Sequence, residues 1–267
     1  MKIKRDDLIH PVISGNKWRK LSSLLSSVPQ GAKGIVSFGG GFSNHVHALA
    51  YCCKSLDLPF IAIIRGNYQQ NLTPMLRDIS AWGAQIIYVD RVTYQRRNDA
   101  DYLNELSTQY KGYAIIPEGG SHIDAMHGVA KIVQEIEWNF DAIVTPVASG
   151  ATLAGIAQSI NADQQAIGIA VLKGEEYLES LVQNFMVQPN DNWHIEHAFH
   201  HGRYAKITPE LQSFCSELHK KYGIPTEGVY SGKLFFALKE MLAAGTFSQG
   251  QKILVLHTGG MQGARQY

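Results

Sequence analysis

Seven short apolar runs, each about the length of a strand, constrain the fold of this chain more than any other feature: Ile35–Phe38, Phe60–Ile64, Gln85–Val89, Ala114–Ile116, Ala142–Val144, Ala166–Val171 and Lys252–Leu256. Between them lie segments of helical period, among them Asn44–Leu56, Leu72–Trp82, His122–Trp138, Pro209–Tyr222 and Gly232–Ala244. Runs that are apolar at consecutive positions need cover on both faces, and the alternating helices supply it. The pattern predicts the α/β class, with parallel sheets and helices on both faces. In open sheets of this kind ligands bind beyond the carboxyl ends of the strands. The runs from Ile35 to Ile116 form one compact series. Those after Trp138 form another, which a first helix around Lys17 can join. The 267 residues therefore divide into a large domain from 1–33 and 126–267 and a small inserted domain from 34–125, with a ligand cleft between them.

Charge and composition exclude several classes of function. Lys and Arg number 24 against 23 Asp and Glu, a formal charge of +1, so no nucleic-acid partner is expected. The longest apolar runs are far too short to span a bilayer, and the strand-like Ile3–Leu8 follows the amino terminus without a signal-peptide stretch. The expectation is a cytoplasmic protein with no membrane contact. Cys52, Cys53 and Cys215 have neither zinc spacing nor a disulfide framework and read as small core residues. His194, His197, His200 and His201 lack a compact set of companion ligands in what reads as a loop, so no metal is expected.

Several turns at strand and helix ends carry polar residues. Ala148-Ser149-Gly150-Ala151-Thr152-Leu153 opens a helix with small residues whose N–H groups can converge on an anion. Ser149 as a plain N-cap is the simpler alternative. Gly39-Gly40-Gly41-Phe42-Ser43-Asn44 lacks the glycine spacing and downstream acid of a dinucleotide loop, which leaves Ser43 and Asn44 as caps or ligand contacts. On the helix that follows, His45 is a better candidate for substrate contact than His47. Tyr230-Ser231-Gly232-Lys233 opens another helix, and His257-Thr258-Gly259-Gly260 closes the last strand. Upstream, Ser14-Gly15-Asn16-Lys17 sets a lysine at a helix start. An amine able to form a Schiff base, a polar turn and an anion cradle are together what pyridoxal phosphate requires.

The ordered set of Ile3–Leu8, Gly15-Asn16-Lys17 with Arg19-Lys20-Leu21, Ser43-Asn44, Ile116-Pro117 with Gly119-Gly120-Ser121, Ser149–Thr152, Val229–Lys233 and His257–Gly260 resembles one enzyme family. It is that of the pyridoxal-phosphate-dependent 1-aminocyclopropane-1-carboxylate deaminases and D-cysteine desulfhydrases. The resemblance runs from Ile3 to about Gly263. It implies a two-lobed, tryptophan synthase β-like fold (fold type II), a small amino-acid substrate and a homodimer. It further implies that Lys17 holds the cofactor covalently and that Asn44 bonds its ring hydroxyl. The turn Ser149, Gly150, Ala151, Thr152 and Leu153 would hold the phosphate, and Thr258 or Ser231 would face the pyridine nitrogen. Ser43 and Tyr230 would sit beside the substrate as catalytic groups, with His45 as a substrate contact.

Departures from the family pattern bear on chemistry. His45-Val46-His47 replaces the usual Gln-Thr-Arg, and the Val46 side chain cannot donate to a substrate carboxylate. Ala151 stands where a second glycine is usual. A few dozen residues that family members carry ahead of Ile3 are not in this sequence, so part of the cleft cover or dimer contact is expected to be missing. The ring-opening deaminases follow their tyrosine with Glu and have Leu at the position of Thr258, whereas Ser231 and Thr258 match the desulfhydrase pattern. A carboxylate keeps a pyridine nitrogen protonated, and a hydroxyl leaves it largely neutral. The neutral ring suits elimination of a good leaving group, giving a 2-oxo acid and ammonia. D-Cysteine is therefore the first expected substrate and 1-aminocyclopropane-1-carboxylate the second. A cofactor-binding protein with little catalysis is the alternative of another class.

Overall fold

The structure is a computed structural model that describes residues 1–265. Its strands are β1 (Lys2–Arg5), β2 (Gly34–Gly40), β3 (Phe60–Arg65), β4 (Gln85–Val89), β5 (Tyr113–Ile116), β6 (Ala142–Val147), β7 (Gln165–Ala170), β8 (Trp193–Glu196) and β9 (Ile253–His257). The helices are α1 (Asn16–Leu24), α2 (Asn44–Ser55), α3 (Pro74–Ala81), α4 (Arg91–Gln95), α5 (Ala100–Gln109), α6 (Ala125–Gln134), α7 (Ala151–Ala157), α8 (Tyr177–Gln183), α9 (Pro209–Tyr222) and α10 (Ser231–Ala243). One sheet runs β1-β9-β6-β7-β8 and the other β4-β3-β2-β5. Every strand pair in both is parallel. The α/β architecture expected from the sequence is present.

Burial of both sheet faces can be traced residue by residue. In β3, Phe60, Ala62 and Ile64 join a core with α2 and α3, while Ile61 and Ile63 pack on Tyr94, Tyr102 and Leu106 across the sheet. In β6, Ile143 and Val147 join one core and Ala142 and Val144 the opposite one. A strand with alternate side chains in two cores cannot slip by one residue without exchanging them. The register is therefore fixed by packing.

Two segments depart from the sequence reading. Ile3–Leu8 is strand only as far as Arg5, and Asp6–Leu8 forms a 3₁₀ turn because buried Asp6 turns inward to pair with Arg19. Trp193–Glu196, read as a loop, is the edge strand β8, registered on Ala166–Ile169. Its four residues alternate polar and apolar, and only Trp193 and Ile195 reach the core, so no apolar run announces it. Cys52 and Cys53 are buried on α2, and burial pushes their thiols up to about 11 and about 12. Among the described residues no helix is long and apolar enough to cross a membrane, and no group of three or more His, Cys, Asp and Glu could hold a metal ion.

Candidate active site

A cleft of about 640 Å³ opens at the carboxyl ends of the strands of both sheets. The turns after β2, β6 and β9 and the start of α1 all reach it. Helix α1 can begin there only because residue 15 is glycine. Its φ is +63°, and a Cβ would lie 1.7 Å from the Thr258 carbonyl oxygen. That same oxygen accepts the Asn16 N–H at 3.0 Å, so the last strand's loop caps the first helix.

Lys17, in the first turn of α1, lines the cleft. Its ammonium donates to Asn16 Oδ1 at 2.8 Å, and Asn16 Nδ2 donates to Thr152 Oγ1 at 3.2 Å. Burial pulls the Lys17 amine down to about 8, with the Glu227 carboxylate resisting the shift. One turn on, Lys20 is buried with only two partners, Gly119 O at 3.1 Å and Ser121 Oγ at 3.5 Å. Burial first, and Lys17 second, press its ammonium well below the ordinary value. Ser121 Oγ in turn donates to Ser149 Oγ at 2.8 Å. A buried lysine thus backs the Ser149 turn, and among the described residues no carboxylate pairs with it.

The turn itself is open. Gly150 is the N-cap of α7 at φ +77°, and no side chain caps the helix. Ala151 N–H bonds Ser149 O, and Ala154 N–H bonds Gly150 O. The N–H groups of Thr152 and Leu153 make no bond within the described residues. Ser149, Gly150, Thr152 and Leu153 line the cleft, whereas Ala151 is fully buried outside the lining.

On the facing wall, Ser43 caps α2, its Oγ accepting from Val46 N–H at 3.2 Å. Asn44 lines the cleft with its Oδ1 held by Gln262 N–H at 3.0 Å, and among the described residues its amide NH₂ has no hydrogen-bond partner. Buried His45 places Nε2 at 2.8 Å from Ser37 Oγ. Ser37 spends its own proton on Ile116 O, so the network assigns the N–H to Nε2 and leaves Nδ1 a bare acceptor. That Nδ1 is buried without a partner, and burial, Lys17 and Lys20 together hold the ring neutral. His47 points away from the cleft and bonds Asp78 at 2.9 Å.

Tyr230 and Thr258 complete the lining, but Ser231 does not reach it. Ser231 is fully buried, its hydroxyl taken by the Glu227 backbone N–H at 3.0 Å. The Glu227 carboxylate accepts the N–H groups of Val229, Tyr230 and Ser231 at 2.7–2.9 Å, so it is spent beneath the cleft floor. The cleft lining contains a single carboxylate among the described residues, Glu118.

Three residues beside the site escaped the sequence reading. Lys20 carries a usable signal, since its spacing from Leu21 and Leu24 sets a lysine on the buried face of α1. Glu227 shows none. Tyr204, whose hydroxyl lies 2.6 Å from that of Tyr230, sits in an irregular loop without period. Lys233 holds that loop through the carbonyls of His200 and Arg203 at 2.9 and 3.2 Å, and it also bonds Val171 O at 2.7 Å.

Comparison with known proteins shows the family and the fold. The family model described as "Pyridoxal-phosphate dependent enzyme" matches residues 2–259. A solved ACC deaminase homologue superposes with a TM-score of 0.84 at 30% identity, covering 98% of this chain and 85% of that one. The mitochondrial bifunctional D-cysteine desulfhydrase/1-aminocyclopropane-1-carboxylate deaminase of Arabidopsis thaliana is 30% identical, over 98% of this chain and 72% of its own. The D-cysteine desulfhydrase of Serratia proteamaculans is 26% identical, over 97% and 86%.

Proposed function

The chain belongs to the pyridoxal-phosphate dependent enzymes, and we propose that it is a lyase that eliminates a β-substituent from a small amino acid in the manner of D-cysteine desulfhydrase. The observation that carries this reading is the character of the cleft lining. It holds the Thr258 hydroxyl, while its one carboxylate, Glu118, is committed to Tyr94 and Arg97. No free carboxylate is at hand to keep a pyridine nitrogen protonated, which favours a reaction whose leaving group takes the electrons.

Groups left unsatisfied in the protein match the cofactor's parts. The free N–H groups of Thr152 and Leu153, with the hydroxyls of Ser149 and Thr152, would hold the phosphate, and Lys20, kept charged by the bound anion, would supply the opposing charge. The Asn44 amide NH₂ would donate to the ring oxygen. Thr258, which lines the cleft, would face the ring nitrogen, whereas Ser231 is buried behind the floor. When bound, pyridoxal phosphate supplies an electrophilic aldehyde and a conjugated ring that draw electrons from the substrate's Cα.

The protein's own groups then divide the proton work. Lys17, with its basicity lowered by burial, is neutral often enough near neutral pH to take the Cα proton. Ser43 and His45, which both line the cleft, would contact the substrate beside Lys17. Tyr230, with Tyr204 against it, stays protonated through burial and donates to the departing group. The β-substituent leaves with its bonding electrons, and water converts the resulting unsaturated amino acid to a 2-oxo acid and ammonia.

Ring opening of 1-aminocyclopropane-1-carboxylate is the second reading, supported by the activity named for the Arabidopsis relative. The two separate in one assay. D-Cysteine or β-chloro-D-alanine should yield pyruvate faster than the cyclopropane substrate yields 2-oxobutyrate, and Lys17→Ala should abolish both. A preference for the cyclopropane overturns the first reading. No turnover across D- and L-amino acids leaves a cofactor-binding protein.

A further inference from the structure

The outer end of the cleft carries positive charge that the protein does not balance. Arg65, the last residue of β3, lines the cleft, and among the described residues its guanidinium makes no ion pair and no hydrogen bond. It lies over the ring of Tyr94, 5.5 Å from the centroid, and Arg97 lies over the same ring at 5.0 Å. The ring holds both cations in place, yet two guanidinium groups beside one ring repel each other. Glu118 is the one carboxylate in the cluster. One of its oxygens accepts from the Tyr94 hydroxyl and the other from Arg97 Nε. Nothing is left for Arg65.

This charge sits close to the reacting end. Burial lifts the Tyr204 phenol above its ordinary value, and Arg65 is near enough to pull against that shift. Tyr204 itself touches Tyr230. Arg65 also borders the Gly40–Ser43 turn, since Gly40 and Arg65 are register partners and the Ser43 N–H bonds Gly40 O. A substrate anchored near Ser43 and Tyr230 would therefore point its side chain towards an exposed guanidinium that is stacked on Tyr94 and, among the described residues, unpaired.

Building on the reading above, we propose that Arg65 receives a second acid group on the substrate. The site takes a small amino acid whose departing β-substituent bears the acid group, a sulfinate or sulfonate or a carboxylate carried beyond the leaving atom, and aspartate and glutamate serve as non-eliminating probes of the same contact. The planar fork of an arginine pairs with such a group through two parallel bonds, and its stacking on Tyr94 lowers the cost of ordering it. Arg97, locked by Glu118, adds charge behind Arg65 without competing for the ligand.

The test titrates the holoenzyme with aspartate, asparagine, glutamate and glutamine of each hand and follows the cofactor's absorbance. For at least one pair of the same hand, the acid should act at roughly tenfold lower concentration than its amide. In Arg65→Gln that ratio should fall to about one, and Arg65→Lys, which keeps charge but loses the fork, should retain part of it. Equal responses to acid and amide in the wild type overturn the proposal, as does a preference that survives Arg65→Gln. Inorganic sulfate should compete with aspartate and not with asparagine. Equal competition with both marks an anion site unconnected with the side chain and overturns it too. A spectrum that responds to no amino acid overturns the lyase reading along with it, whereas a response without acid preference overturns this inference alone.

Discussion

The turns after β2 and β6 look alike in sequence, each joining a strand to a helix through glycine and serine, yet they treat their backbone oppositely. After β2, Ser43 caps its own helix and spends its acceptor on Val46 N–H. After β6, Gly150 takes the capping position with no side-chain cap, and Ser149 faces Ser121 instead. The first turn is finished by the protein. The second is left with free N–H groups at Thr152 and Leu153 and a buried lysine behind them. An exposed helix start could turn to water, but this one opens into a cleft, and its incompleteness is what supports the proposed phosphate site. The lesson is that a glycine-serine turn is told from a plain cap by what it leaves undone.

Four substitutions test the contrast, in falling order of effect. Gly150→Val puts a Cβ 2.6 Å from the Leu181 carbonyl carbon at φ +77°, so the open turn cannot keep its shape. Cofactor affinity should drop on the order of a hundredfold, read by dialysis and absorbance, and unchanged retention would move the anion site elsewhere. Lys20→Met should weaken the cofactor on the order of tenfold, since a charge-assisted contact is lost. Because Lys20 is buried with only neutral acceptors, the cofactor-free protein should melt no lower and even higher without it. A fall in melting temperature would make Lys20 structural. The serines give the smallest and cleanest split. Ser43→Ala should cost about 1 kcal/mol of stability, a shift of about 2–4 °C, through the lost cap. Ser149→Ala should leave melting of the cofactor-free protein nearly unchanged and weaken the cofactor instead. Equal behaviour of the two would erase the distinction.

How much of this was legible depends on whether a residue's role is local. The apolar runs marked the central strands because each position there is buried whatever its partner, as in Phe60–Ile64 and Ala142–Val144. The four-residue edge strand β8 borrows its strand character from β7 and carries no such mark. Within the cleft, Lys17, Asn44 and Thr258 were readable as chemistry-bearing types at turns, and the fold brings them together. Ser231 was assigned the same neighbourhood by its place beside Tyr230. One residue of helix separates a side chain that faces the cleft from one sealed against Glu227, and only the built turn reveals which. The partnership of Tyr204 with Tyr230 spans 26 positions and depends on a loop held by Lys233, so no window of sequence contains it.

The contact between Gly15 and Thr258 also sets an order of assembly. Thr258 O caps the helix that carries Lys17, Ser14 Oγ accepts from Gly260 N–H, and Gln262 N–H fixes the side chain of Asn44. Lys17 and Asn44 are thus translated early, and the groups that position them late. A nascent chain emerging from the ribosome carries Lys17 on an uncapped segment until Thr258 has been made. Interrupted products ending before Ile253 lack both the partner strand of β1 and the cap of α1. Synthesis as far as Thr258, more than the presence of the lysine, decides when this amine is held at a capped helix start.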